Sequence, residues 1–305
     1  MKLLLAGKLE LTDEQLGRLN ILGYECTFMS DERNRVEKPE AFDAVICNGL
    51  FLHNEVSEFK NLKFVQSTSA GTERLPIEYF DNHGIVWRNA TGVYSVPIAE
   101  WVIMSALNLL RNGKALYERQ NAKIWEKDRT QRELNGMTVT IVGLGSVGLE
   151  CAKRCKAFDT EVVGVDIKKI ASPYVDVFYE ASKLNDALKI TDILVLCCSL
   201  TEDTFKMIGK EQFDTIKRNA LLINASRGQV VDEMRLIEAL KNKCLSGAAL
   251  DVFENEPLDK GSALWDMPNV LISPHSSFIS NRNADRLFAL VYDNLVKFKE
   301  NAHGA

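Results

Sequence analysis

Four histidines in 305 residues, no Cys-x-x-Cys pair and no long apolar run are the first scarcities of this sequence, and each one excludes something. A membrane-spanning helix needs about 20 consecutive apolar residues, and no stretch approaches that length. The opening MKLLLAGK offers only three leucines before Gly7 and Lys8, too few for a signal-peptide core. A cytoplasmic protein without a membrane partner is expected. There is no long Lys/Arg run and the formal net charge is -5, so no nucleic-acid partner is expected either. The seven cysteines are odd in number, and Cys47, Cys151, Cys155, Cys197 and Cys198 sit inside apolar runs. That pattern fits reduced, buried thiols, with neither disulfides nor a metal site.

What is present is 46% hydrophobic and 26% charged, the profile of an ordinary globular protein of about two domains. Short strand-like and helix-like segments alternate through the first hundred residues: KLLLAG, TDEQLGRLNILG, ECTFMS, AVICNG, then FKNLKFVQSTSAG and GIVWRNA. Such alternation predicts a parallel sheet with covered faces. From Ser95 to about Leu116 one long apolar helix is predicted, with Pro97 in its first turn, where a missing N–H is harmless. A more regular series follows, from MTVTIVGLGSVG to NVLISPH, whose strand-like runs are continuously apolar, as expected of strands buried on both faces. RNADRLFALVYDNLVKFKEN closes the chain as an amphipathic helix that returns to the first domain. The predicted fold is α/β with two doubly wound parallel-sheet domains. Residues 1–96 with 280–305 form a flavodoxin-like domain, and 97–279 form a Rossmann-type domain.

Gly143, Gly145 and Gly148 form G-x-G-x-x-G directly after the strand-like VTIV and directly before a helix-like segment. The first glycine permits a tight turn, the second lets backbone approach a pyrophosphate, and the third lets helix and strand pack closely. Asp166 ends the next strand, 18 residues beyond the third glycine, close to the roughly 20 of a dinucleotide fingerprint. A carboxylate there accepts from a ribose hydroxyl and repels a 2′-phosphate, which favours NAD over NADP; Lys168 and Lys169 follow closely and soften that repulsion. FAD and S-adenosylmethionine also bind such folds.

Arg227 in NASRGQVVD, Glu256 in DVFENEP and His275 in SPHSS follow successive strand-like runs. In a doubly wound sheet, groups at the carboxyl ends of strands converge on a ligand. Together with GLGSVG…VD, and in this order and spacing, these motifs resemble the D-isomer-specific 2-hydroxyacid dehydrogenase family, which includes glyoxylate/hydroxypyruvate reductases and D-3-phosphoglycerate dehydrogenases. TSAG and NATGVYSVPIAEW extend the resemblance over nearly the whole chain.

The resemblance implies an NAD-dependent enzyme interconverting a small D-2-hydroxy acid and its 2-oxo acid. His275 would be the acid/base, Glu256 would bond its other nitrogen and favour the imidazolium, and Arg227 would bind the substrate carboxylate. Ser69, Ala70, Gly71 and Thr72 would offer backbone N–H groups to that carboxylate. Cofactor contacts would come from Gly143, Gly145, Ser146, Val147, Gly148 and Asp166, and also from Leu200, Thr201, Ala225, Asp251 and His275, with Asp251 either meeting the nicotinamide carboxamide or capping a helix or turn. Ser276 and Ser277 either touch the ligand or only satisfy the loop backbone. The chain departs from the family's GAGVD-like loop with SAGTERLP, where Glu73 and Arg74 bear on substrate size, and Arg74 or Arg88 would serve a phosphorylated substrate. A homodimer is expected, with the apolar helix around Trp101, Met104 and Leu107 available to it. An NAD(H)-sensing scaffold is the competing class, and it has no need of an intact Arg227, Glu256 and His275 set.

Overall fold

In the computed structural model, which describes residues 1–7 and 9–303, the chain divides into two compact units, Met1–Tyr94 with Ser280–Ala305, and Ser95–Ile279. The first unit opens with β1 (Lys2–Ala6), α1 (Asp13–Ile21), β2 (Glu25–Met29), β3 (Ala44–Cys47), β4 (Phe64–Ser67), α2 (Ile77–Asn82) and β5 (Val86–Arg88). The second begins with α3 (Ser95–Leu110) and α4 (Gly113–Asn121), then β6 (Thr138–Val142), α5 (Ser146–Lys156), β7 (Glu161–Asp166) and β8 (Val177–Glu180). It continues through α6 (Leu184–Leu188), β9 (Ile193–Leu196), α7 (Lys210–Thr215), β10 (Ala220–Asn224), α8 (Glu233–Lys241), β11 (Leu245–Leu250) and β12 (Val270–Ile272). The last helix, α9 (Asn283–His303), belongs to the first unit.

Both sheets are parallel throughout. The first has the order β2-β1-β3-β4-β5, and the second β12-β11-β10-β9-β6-β7-β8. These are flavodoxin-like and Rossmann-type doubly wound orders, and each reverses direction once, between β1 and β3 in the first sheet and between β6 and β9 in the second. Side chains alternate across each sheet with the strand period of two. Leu3, Leu5, Ile46 and Phe64 meet Leu19 of α1 and Phe288, Val291 and Leu295 of α9. Leu4, Val45 and Val65 turn to the other face, covered by Phe80 of α2 and by the loop residues Leu50 and Phe59. In the second sheet Ile141, Val162, Val195 and Ile223 pack on α3 and α5, and Val163, Leu194, Leu222 and Leu250 pack on the side of α6, α7 and α8.

Local chemistry sets the helix starts. Thr12 and Gln15 form a reciprocal capping box at α1, and the Asp232 side chain accepts the Arg235 N–H at the start of α8. The single helix predicted from Ser95 to Leu116 is instead two. Asn112 adopts a left-handed conformation with φ 51°, and its side-chain amide donates to Asp128 and Thr130 at 3.0 and 2.9 Å. Arg111, Asn112, Gly113 and Lys114 interrupt the apolar pattern at this point, and the left-handed Asn112 ends the helix. Truncating Leu295, fully buried on α9, to alanine is expected to lower the unfolding free energy by about 2–5 kcal/mol in urea titrations.

Candidate active site

The glycine loop follows β6 at the switch point of the second sheet. Gly143 has φ 91°, and a Cβ there would lie 2.6 Å from the Cys198 nitrogen beyond β9, so the turn passes too close to the neighbouring strand end for any side chain. A Cβ on Gly148 would lie 1.9 Å from the Gly143 carbonyl oxygen, which is the close helix–strand contact. Gly145 differs: it caps α5 with no side-chain bond, and a Cβ there would meet nothing within 4 Å. The first-turn N–H groups of α5, including those of Ser146 and Val147, therefore open onto free space, and a helix N-terminus of this kind suits a phosphate. Asp166 ends β7 with one carboxylate oxygen accepting the Leu144 N–H at 2.6 Å and the other the Ile167 N–H at 2.7 Å. The oxygen that accepts Ile167 also accepts the Lys168 N–H at 3.4 Å, and the one that accepts Leu144 keeps a second lone pair, so the residues present fit a dinucleotide. Leu200 and Thr201 lie beyond β9, where Thr201 and Thr204 exchange hydrogen bonds; Ala225 follows β10.

Arg227, Glu256 and His275 lie beyond the carboxyl ends of β10, β11 and β12, three adjacent strands. The side chain of Asn224 shapes the first of these turns: its oxygen accepts from the Ser226 N–H and hydroxyl, and its amide donates to the Arg227 carbonyl at 3.1 Å. Half-buried Arg227 donates to the Ser226 carbonyl at 2.8 Å. Next to it, a Cβ on Gly228 would lie 1.8 Å from the Phe253 carbonyl carbon. The Arg227 turn is thus pressed onto the segment that leads to Glu256.

His275 Nδ1 stands 2.8 Å from Glu256 Oε2, while Glu256 Oε1 accepts the Phe253 N–H at 3.2 Å. His275 itself has φ 49°, a conformation that non-glycine residues rarely adopt without support. The support is Asp251. Its backbone carbonyl accepts the His275 N–H at 2.8 Å, and its carboxylate, 1% exposed, accepts from the Ser273 hydroxyl and from the N–H groups of Ser276 and Ser277 at 2.6, 2.8 and 3.0 Å. Asp251, expected either to meet the carboxamide or to cap a helix or turn, therefore has a turn-holding role in the structure, and Ser276 and Ser277 satisfy that turn through their backbone. Sequence reasoning missed the roles of Asn224 and Gly228, whose signal is their place at the two ends of the NASRG motif after β10.

In the first unit, Ser69, Ala70, Gly71 and Thr72 follow β4. Ser69 donates its N–H to Ser67 Oγ at 3.0 Å, so one of the four expected donors is already used. Among the described residues, the N–H groups of Ala70, Gly71 and Thr72 have no partner within the protein. Arg74 and Arg88 are exposed. All seven cysteines are free, and burial pushes the Cys155 and Cys198 thiols up to about 12 and about 11, which suppresses thiolate chemistry. Among the described residues no cluster of three or more His, Cys, Asp or Glu side chains could hold a metal. Gly228→Ala is expected to lower the unfolding free energy by about 1–3 kcal/mol in urea titrations, because the Phe253 backbone cannot yield as a flexible side chain would.

Residues 103–277 match the NAD-binding domain of the D-isomer specific 2-hydroxyacid dehydrogenases. The glyoxylate reductase of Korarchaeum cryptofilum is 31% identical over 254 residues, covering 78% of this chain and 73% of that protein. The D-3-phosphoglycerate dehydrogenase of Archaeoglobus fulgidus is 32% identical over 253 residues, 82% of this chain but 48% of that protein. Among solved structures, the NADPH-dependent glyoxylate/hydroxypyruvate reductase of Sinorhizobium meliloti in complex with NADP and sulfate superposes with a TM-score of 0.80 at 28% identity, over 99% of this chain and 96% of that one. Because the matched stretch takes in more than half of the residues, from α3 to the turn that carries His275, the chain belongs to the D-isomer-specific 2-hydroxyacid dehydrogenase family: it is an NAD(P)-dependent oxidoreductase that interconverts 2-hydroxy acids and 2-oxo acids.

Proposed function

We propose that this chain reversibly reduces a small 2-oxo acid to its D-2-hydroxy acid with NAD(H), using His275 as acid/base, Glu256 as its orienting partner and Arg227 as the carboxylate anchor. The observation that carries this reading is the 2.8 Å bond between His275 and Glu256 at strand ends of the sheet that also bears the glycine loop. An ionised glutamate can only accept, so Nδ1 carries the hydrogen of that bond and Nε2 is the nitrogen that exchanges a proton with substrate. In reduction Nε2 gives its proton to the carbonyl oxygen, and in oxidation it takes the proton from the hydroxyl. Arg227 presents a planar fork that matches a carboxylate and polarises the adjacent carbonyl. When bound, the nicotinamide supplies or receives the hydride. The first unit offers the Ala70, Gly71 and Thr72 N–H groups to an anionic group.

Asp166 supports NAD(H) over NADP(H), since its carboxylate accepts from ribose hydroxyls and repels a 2′-phosphate. A second reading, a phosphorylated 2-hydroxy acid as substrate, draws on the Archaeoglobus fulgidus relative, and exposed Arg74 and Arg88 are its available cations. Exposed Met104, Tyr117, Ile124 and Trp125, at 52%, 65%, 48% and 101%, support a homodimer, read by sedimentation at micromolar concentration. The site and the absence of any described helix long and apolar enough to cross a membrane support a cytoplasmic enzyme.

The test is a panel of glyoxylate, hydroxypyruvate, pyruvate and larger 2-oxo acids with NADH and NADPH in parallel. His275→Ala is expected to lower kcat/KM with the best acid by about 10²- to 10⁴-fold, and equal turnover by the variant and wild type would overturn the assignment. Asp166→Ala is expected to shrink the NADH-to-NADPH ratio of kcat/KM by about tenfold or more. Turnover of 3-phosphoglycerate that collapses in Arg74→Ala would move the conclusion to the second reading.

A further inference from the structure

The loop after β4 has its peptide planes turned, one by one, by the segment between β5 and α3, all within the first unit. The Tyr94 hydroxyl donates to the Thr68 carbonyl at 2.5 Å, the Ala90 N–H to the Ser69 carbonyl at 2.9 Å, and the Asn89 side-chain amide to the Ala70 carbonyl at 2.8 Å. A trans peptide is planar, so its N–H points opposite to its carbonyl. Each of these bonds therefore sets the direction of the next residue's N–H. That of Ser69 is spent inside the loop on Ser67 Oγ. Those of Ala70 and Gly71 are turned away from Ala90 and Asn89 and, among the described residues, have no partner within the protein. Successive N–H groups presented together suit an anion.

The holds on Ser69 and Ala70 differ in what they ask of the sequence. Any residue other than proline at position 90 supplies the backbone N–H, but the bond to Ala70 needs a side-chain donor at position 89. The amide at that position is also oriented. Asn89 Oδ1 accepts from the Thr91 hydroxyl at 2.8 Å and from the Thr91 N–H at 3.3 Å, which leaves Nδ2 to face the Ala70 carbonyl. An ionised aspartate has no donor, and would set an acceptor against an acceptor. Donation to the Ala70 carbonyl also polarises the peptide that carries the Gly71 N–H. Resting on the reaction assigned above, we propose that Asn89 is a positioning residue for substrate binding, which aims the Gly71 N–H at the carboxylate of the 2-oxo acid. It acts through the peptide between Ala70 and Gly71. The substrate carboxylate keeps its charge through hydride transfer, so this contact holds ground state and transition state alike, and its loss raises KM while sparing kcat.

The experiment measures steady-state kinetics of the full chain and of Asn89→Ala, Asn89→Asp and Thr91→Val, varying the panel acid that wild type turns over fastest at saturating NADH. Fluorescence titration with NADH and thermal melts accompany it. Asn89→Ala is expected to raise KM for the acid by about tenfold or more, with kcat within about threefold of wild type and NADH affinity unchanged. Asn89→Asp should raise KM further, and Thr91→Val, which frees the amide to turn, by about two- to tenfold. An unchanged KM in both Asn89 variants overturns this inference and leaves the assigned reaction standing. A fall in kcat, acid affinity and NADH affinity together, with a lowered Tm, makes Asn89 a general prop of the first unit and also overturns it. Turnover of no panel acid by wild type removes the reaction and the inference together.

Discussion

The carboxylate of Asp251, buried at the end of β11, accepts three hydrogen bonds from the turn after β12, and the geometry of the His275–Glu256 pair depends on it. A buried charge is tolerable only when fully hydrogen-bonded, and here the donors are a serine hydroxyl and two backbone N–H groups of the residues flanking His275. The turn thereby holds His275 at a positive φ and aims its ring at Glu256. Glu256 in turn braces its second oxygen against the Phe253 N–H, and Phe253 is the residue against which Gly228 closes. From one carboxylate, contacts run through all three strand ends that carry the Arg227, Glu256 and His275 set.

The same economy governs the nucleotide side. Gly143 and Gly148 are fixed by what a methyl group would strike, whereas Gly145 is fixed by the space that must stay free. Asp166 resembles Asp251 in using a carboxylate to hold a loop, yet it is only half-buried, and the oxygen that accepts Leu144 has a second lone pair open. Parallel sheets make this arrangement natural: every strand ends on the same side, so short turns at neighbouring strands supply groups that are distant in sequence.

Much of this was legible in the residues. Continuous apolar runs such as TVTIV and ALLIN marked strands covered on both faces, and the glycine loop with Asp166 marked the nucleotide crevice. β8, by contrast, is the half-buried edge strand of its sheet, and its apolar run of Val177, Phe178 and Tyr179 is too short to stand out. The break at Asn112 falls on an Asn-Gly pair, a turn signal that the single-helix expectation passed over, and its side-chain amide fixes the break by reaching Asp128 and Thr130. That Asp251 caps a turn was one of two readings open to the sequence, but which turn was not: its partners lie more than twenty residues away, and two of the three are backbone N–H groups, which leave no mark on composition.

The discontinuity of the first unit has a consequence for how the protein is made. Leu3, Leu5, Ile46 and Phe64 line a sheet face whose cover includes Phe288, Val291 and Leu295. Residues 1–94 are translated before the second unit, and α9 after it. The second unit is one unbroken stretch and has all its strands in hand before α9 exists. Order of synthesis and order of completion are therefore reversed: of the two units, the one begun earlier is completed later, and until then an apolar sheet face waits for its partner helix, exposed to whatever else can bind it.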